Sequence, residues 1–218
     1  MTVWIDIWVW DLVNPDPAVL SRDETARAAR FVFNRDRDRY IAGRSRLRRI
    51  LSSYLNQNPR DVTFCYGDHG RPDVHGLQFN LSHTGDLACL AVSRSAHQLG
   101  LDIEAVRPID LAVARAHFAP EEMAALVSLP DNDRVAAFYR CWTRKEAYLK
   151  ARGTGLSTDL ASFTVTITPQ NDPELTFCES GDAAAWILLD LNVAPGIAGA
   201  LAVRSGGEDV RTALRTAP

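Results

Sequence analysis

Lysine is almost absent from this chain. Of the 24 basic residues in 218, 22 are arginine and two are lysine, Lys145 and Lys150. A bias toward GC-rich codons explains an excess of arginine and alanine. It does not explain why both lysines stand in one short segment, Trp142 to Lys150. Cysteine is also scarce. Cys65, Cys89, Cys141 and Cys178 form no CxxC pair and no Cys/His zinc spacing, so a reducing compartment is expected. Long apolar runs are missing too. The run Ala183 to Leu189 is too short to span a bilayer and is closed by Asp190. The opening Met1 to Trp8 has no basic region and carries Asp6, so it is not read as a secretory signal, and a cytoplasmic protein is expected. There is no GxSxG elbow, no Walker A loop and no GxGxxG. Net charge is −3, which excludes a chain held on nucleic acid by overall positive charge. With 46% apolar and 23% charged residues, the composition is that of a folded soluble protein.

The pattern along the chain alternates between strands and helices. Val3 to Trp10 has strand periodicity with both faces covered. Ser21-Arg-Asp-Glu24 is a capping box, predicting a helix from Arg22 to Phe33, and a second helix fits Asp36 to Leu55. Between Ser21 and Ile50 there are ten arginines and four acids. That surplus reads either as a solvated helical face or as a site for a polyanion such as phosphate. Strands are expected at Val62–Tyr66, Leu77–Leu81, Leu87–Ser93 and Gln98–Glu104. Helices follow from about Leu111, from Pro120, and from Asp131 through Arg152, stopped by Gly153 and Gly155. Strands then fit Phe163–Thr168, Leu175–Cys178, Ala184–Asp190 and Ile197–Val203, and Ser205–Pro218 is expected to be loose. This is an α+β chain of two halves, 1–99 and 100–218.

Three constellations carry possible chemistry. In Gly100-Leu-Asp-Ile-Glu104, strand alternation puts Gly100, Asp102 and Glu104 on one face. Two neighbouring carboxylates repel unless a cation or protons join them, and Gly100 leaves room for something to approach. The alternatives are a solvated strand face and a Mg²⁺ site. In the second, Phe138, Trp142, Glu146 and Leu149/Lys150 share a helical stripe. Glu146 is then either half of a surface Glu–Lys pair or a metal ligand or general base, with Lys150 reaching the same phosphate. In the third, Asn80-Leu-Ser82-His83-Thr84-Gly85 sets His83 and the Ser82 hydroxyl where they can donate to phosphate oxygens. A turn residue is the plainer reading of His83.

Taken in order, Gly70-Arg71-Pro72, Asn80-Leu-Ser82-His83, Gly100-Leu-Asp102-Ile-Glu104 and Trp142-Thr-Arg-Lys-Glu146-Ala-Tyr-Leu-Lys150-Ala-Arg-Gly-Thr-Gly-Leu156 resemble the Sfp-type 4′-phosphopantetheinyl transferases. The last stretch is the most specific, and the resemblance runs from about Arg27 to Val165. It implies a monomer of two pseudo-twofold α+β halves with coenzyme A in the cleft between them. It implies transfer of phosphopantetheine from coenzyme A to a serine of an apo carrier protein, releasing adenosine 3′,5′-bisphosphate. By the same resemblance Asp102, Glu104 and Glu146 match the Mg²⁺ set. Ser82 and His83 match holders of coenzyme A phosphates, Lys150 faces the pyrophosphate, and Glu146 or its water is the base for the carrier serine. Gly70, Arg71 and Pro72 match the adenosine side, with Arg71 near the 3′-phosphate and adenine. Arg27 and Arg39 fall near positions that contact the adenosine end. One position the family usually keeps basic is Glu24 here, and Glu121 or Glu122 matches an acid that helps hold metal-bound water.

Two other readings use the same residues: a Mg²⁺-dependent phosphohydrolase acting without a carrier, and a non-catalytic carrier-binding module. The second would require a broken acidic set, yet Asp102, Glu104, Glu146 and Lys150 are all present. Fatty-acid, polyketide and peptide-synthetase carriers all offer a serine at a helix start, so the sequence does not choose among them. Of the two lysines, Lys150 is expected to resist replacement by Arg. Lys145, off the stripe, is expected to accept it.

Overall fold

A computed structural model describes residues 2–13, 17–67, 70–155 and 158–216. Leu156, which closes the last motif above, lies outside the described residues. The strands are β1 (Thr2–Asp11), β2 (Cys65–Tyr66), β3 (Pro72–Asp73), β4 (Gln78–Thr84), β5 (Leu87–Ser93), β6 (Gln98–Ala105), β7 (Phe163–Val165), β8 (Leu175–Cys178), β9 (Trp186–Asp190), β10 (Ile197–Arg204) and β11 (Asp209–Thr216). The helices are α1 (Arg22–Ala28), α2 (Asn34–Leu55), α3 (Ala112–His117), α4 (Pro120–Ser128) and α5 (Asp131–Arg152). None of the described helices is long and apolar enough to cross a membrane.

Two sheets lie face to face between two long helices. The first has the order β11-β1-β5-β4, the second β6-β10-β9. Strand alternation explains the layering. On β5, Ala88, Leu90 and Val92 pack with Leu47, Ile50 and Leu51 of α2. Cys89 and Ala91 point the other way, and with Val3, Ile5 and Ile7 of β1 they meet Leu99, Leu101 and Ile103 of β6. The outward face of the second sheet, Ala200 and Ala202 of β10 among it, packs with Ala147, Tyr148 and Ala151 of α5. The order is therefore α2, first sheet, second sheet, α5. The even residues of β6 (Gly100, Asp102, Glu104) face α5, as the alternation requires.

Several expectations are corrected. The first helix ends at Ala28 rather than Phe33, closing on i→i+3 bonds from Arg30 and Phe31 N–H to Arg27 and Ala28 O. The strand expected over Val62–Tyr66 shrinks to Cys65–Tyr66. The segment expected to be loose contains β11, which pairs in parallel with β1 from Thr2↔Asp209 to Val9↔Thr216. Its partner strand lies at the other end of the sequence, and its Leu214 is exposed, so neither local pattern nor burial announces it. Gly100 does leave room, but for α5. An added Cβ would stand 2.0 Å from Ala147 O and 2.3 Å from Ala151 N.

Candidate active site

The seam between the two sheets is made by side chains. β4 lies beside β6 at their edges, and alternate β4 residues bond the β6 backbone. Asn80 Oδ1 accepts the Leu101 N–H (2.9 Å), Ser82 Oγ the Ile103 N–H (3.3 Å) and Thr84 Oγ1 the Ala105 N–H (3.0 Å). Polar residues at every second position thus replace a backbone ladder, and they satisfy buried N–H groups that would otherwise be costly. This seam sets Ser82 against Asp102 and Thr84 against Glu104, at 3.0 and 3.3 Å.

α5 supplies the opposing wall. The Phe138–Trp142–Glu146–Lys150 stripe exists as predicted, with Phe138 stacked on Trp142 at 5.7 Å between ring centroids. Lys150 Nζ donates to Asp102 Oδ1 (2.6 Å) and Ser82 Oγ (3.1 Å). The Ser82 hydroxyl therefore has its donor and both acceptor positions engaged. Ser82, His83, Asp102, Glu104, Trp142, Glu146 and Lys150 line one hollow of about 390 Å³. His83, Glu146 and Lys150 also line an adjoining hollow of about 510 Å³ with Arg27, Tyr40, Arg44, Tyr66, Gly70, Arg71 and Pro72. Arg39 lines a third, also about 510 Å³, that shares Arg27, Tyr40, Arg44 and His83 with the second, and it donates from Nε to Asp86 at 2.7 Å. Apart from Glu121 and Glu122, the predicted site residues thus line three hollows that share lining residues.

The acidic set is electrostatically strained. Burial pushes the Asp102 carboxyl up, against the pull of Lys150 and Ser82. Burial and then the Asp102 charge push up both Glu104 and Glu146. Asp102 Oδ2 is buried with no hydrogen-bond partner. An orphaned carboxylate oxygen beside two further raised carboxyls suits a hard divalent cation. Among the described residues, however, no three His, Cys, Asp or Glu side chains stand together as a ready-made metal set.

Two other site expectations change. Lys145 is not on the surface: its side chain is fully buried and pairs with Glu122 at 2.8 Å. Lys145 Nζ also donates to Leu160 O (2.7 Å) and Phe163 O (2.5 Å). Glu122 accepts the Ala119 and Val165 N–H groups, so both carboxylate oxygens are engaged away from the cleft. Glu121 is exposed. Neither acid stands on the lining of the acidic hollow.

Sequence reasoning missed Tyr40, Arg44 and Tyr66. Glu24 explains Arg44. Its carboxylate accepts the Ser21 N–H (2.9 Å) and Arg48 Nε (2.6 Å), and pairs with Arg44 through Nε at 2.7 Å. Burial raises this carboxyl, but the Arg48 bond, the Ser21 N–H and Arg44 together hold it below its usual value. Arg44 lies over the Phe64 ring at 4.2 Å and donates to Tyr66 OH at 3.2 Å. One acid thus holds two arginines, and the cluster keeps a net positive charge at the cleft wall. The capping box on Glu24 was readable; its second use as an anchor for arginines 20 and 24 residues away was not.

Comparison with known proteins identifies the family. Residues 98–204 match the family model described as 4′-phosphopantetheinyl transferase superfamily, and residues 16–95 that of 4′-phosphopantetheinyl transferase, N-terminal. The chain is 42% identical over 217 residues to 4′-phosphopantetheinyl transferase HetI of Nostoc sp., covering 93% of this chain and 89% of that protein. It is 34% identical over 159 residues to 4′-phosphopantetheinyl transferase psf-1 of Bacillus pumilus, covering 72% and 67%. With 4′-phosphopantetheinyl transferase Sfp of Bacillus subtilis it shares 30% identity over 149 residues, covering 67% and 66%. A cleft that gathers the four motifs, and relatives of this similarity over most of their length, lead to one conclusion: the chain belongs to the 4′-phosphopantetheinyl transferase family.

Proposed function

We propose that this protein transfers 4′-phosphopantetheine from coenzyme A to a serine hydroxyl of an apo carrier protein, in the cleft between its two sheets. The serine Oγ bonds to the phosphorus that carries pantetheine, the anhydride bond to the adenosine side breaks, and adenosine 3′,5′-bisphosphate leaves. The observation that carries the reading is the convergence of Asp102, Glu104, Glu146, Lys150 and His83 on one hollow, with an arginine-walled hollow next to it.

Asp102, Glu104 and Glu146 would hold Mg²⁺, which when bound neutralises charge on the pyrophosphate. His83 and Lys150 supply donors to the pyrophosphate oxygens, where charge develops on the leaving group. Ser82 and Asp102 fix the Lys150 ammonium at that place. Glu146, or a water it holds, takes the serine proton. Its raised carboxyl suits that exchange. Arg27, Arg39 and Arg44 favour the 3′-phosphate, and Gly70, Arg71 and Pro72 wall the adenosine side. Residues 1–99 then serve the adenosine end, and residues 100–218 the metal and the carrier. In support, each sheet carries a 22-residue helix on its outer face, which suits a pseudo-twofold pair. Four free cysteines agree with a cytoplasmic enzyme. We read it as a monomer that needs neither membrane nor nucleic acid.

The deciding measurement is intact-mass spectrometry of apo carrier domains from fatty-acid, polyketide and peptide synthesis, each incubated with the protein, coenzyme A and Mg²⁺. A phosphopantetheine-sized gain on at least one is expected. No gain on any, with phosphate released from coenzyme A instead, would favour a phosphohydrolase.

A further inference from the structure

We propose that Arg71 is a positioning residue: its guanidinium clamps the end of α5 to β4 and β6 and so sets where the Lys150 ammonium stands. The functional part of the claim rests on the transferase reading. The structural part does not. Arg71 sits at the end of the turn between β2 and β3, where Gly67 N–H bonds Arg71 O (3.1 Å) and Gly70 N–H bonds Gly67 O (2.8 Å). Gly70 has φ +73°, a left-handed turn position that favours glycine. From this turn Arg71 reaches inward. Its Nη1 donates to Lys150 O (2.5 Å), and its Nη2 donates to Phe79 O (3.2 Å) and Leu99 O (3.0 Å).

Each acceptor belongs to a different part of the site. Phe79 precedes Asn80, the first residue of the polar seam. Leu99 precedes Gly100, where an added Cβ would run into the α5 backbone. Lys150 O is one of the last carbonyls of α5, which lack a full set of partners inside the helix and attract a positive charge. Lys150 is therefore held twice: its backbone by Arg71, its ammonium by Asp102 and Ser82. The bonds also decide what Arg71 does not do. Both two-pronged faces of a guanidinium include Nη2, and here Nη2 is engaged by two carbonyls, so no bidentate face remains for a phosphate.

The scarcity of lysine makes this directly measurable. With lysine Cε labelled, the chain has two signals to follow, Lys145 and Lys150. In Arg71→Ala and in Arg71→Lys, the Lys150 signal should move while that of buried Lys145 stays, which also reports an intact fold. In the same variants kcat should fall roughly 10–100-fold with coenzyme A and with 3′-dephospho-coenzyme A alike, the scale expected of a small misplacement. KM for either donor should stay within about twofold, and added guanidinium ion should restore part of kcat to Arg71→Ala. A KM that rises for coenzyme A alone would put Arg71 on the 3′-phosphate and overturn the proposal. So would a Lys150 signal that does not move. A wild-type protein that modifies no carrier would overturn the transferase reading and leave the lysine signals to decide the clamp.

Discussion

Lys145 and Lys150 stand on one helix in opposite environments: the side chain of the first is fully buried, that of the second 31% exposed. Removing Lys145 leaves Glu122 as an uncompensated buried charge. Lys145→Met should therefore cost about 3–5 kcal/mol in urea unfolding, and Lys145→Met with Glu122→Met should recover most of it. Lys145→Arg should also destabilise, because the larger planar head has no space in a pocket shaped by two carbonyls and the Phe163 ring. Lys150→Ala should lower kcat by about 10²–10³ and, because it leaves the buried Asp102 carboxylate unpaired, should also lower stability in urea unfolding; Lys150→Arg should not rescue kcat. The carboxyls give a pH test. A carboxyl raised on folding binds its proton more tightly in the native state, so native stability falls as pH climbs from the unfolded value through the raised one. Glu146 is raised by burial and by Asp102. In chelator, Glu146→Gln should melt above the wild type at pH 7, and the difference should vanish below about pH 4, where both states are protonated. An equal melting temperature at pH 7 would remove the strain argument. Lys150 was legible because it shares a stripe with Trp142 and Glu146. Lys145 was misread because its partner Glu122 lies on another helix, beyond any local pattern.

Elements here are placed by close approach rather than by intrinsic preference. Gly100→Ala would drive a methyl into the α5 backbone, which cannot give way as a flexible side chain can. Thermal unfolding should show a loss of at least about 1–3 kcal/mol, and Lys150 should lose its register with Asp102, so activity should fall further than stability explains. Ser82→Ala would leave the Ile103 N–H without its partner and is expected to cost about 1–3 kcal/mol by urea unfolding. The strand alternation of Leu99 to Glu104 and the glycine stop of α5 at Gly153 were readable because each is a local rule. The seam was not. Asn80, Ser82 and Thr84 read as a polar strand face or a phosphate loop until β6 is seen beside them, and nothing local tells a seam from a site.

At the scale of the molecule, the two sheets hold the acidic set and the arginine wall on either side of one seam. Mg²⁺ alone, with no donor or carrier, should raise the melting temperature of the wild type and not that of Asp102→Asn, as expected for an ion that binds only the native state. An equal rise in both would detach Asp102 from the cation. The layer order was partly legible, since alternating apolar residues announce two-sided strands, while the pairing of β1 with β11 was invisible at a separation of about 200 residues. That pairing has a consequence for how the chain comes to be folded. β1 is made about 200 residues before β11 and must wait for it with an open edge that invites pairing with other chains. Closing so long a loop makes it a late and slow step in refolding. The first sheet is thus completed last, and a ribosome-bound or truncated chain lacking 205–218 carries an unfinished edge on an otherwise formed α2 core.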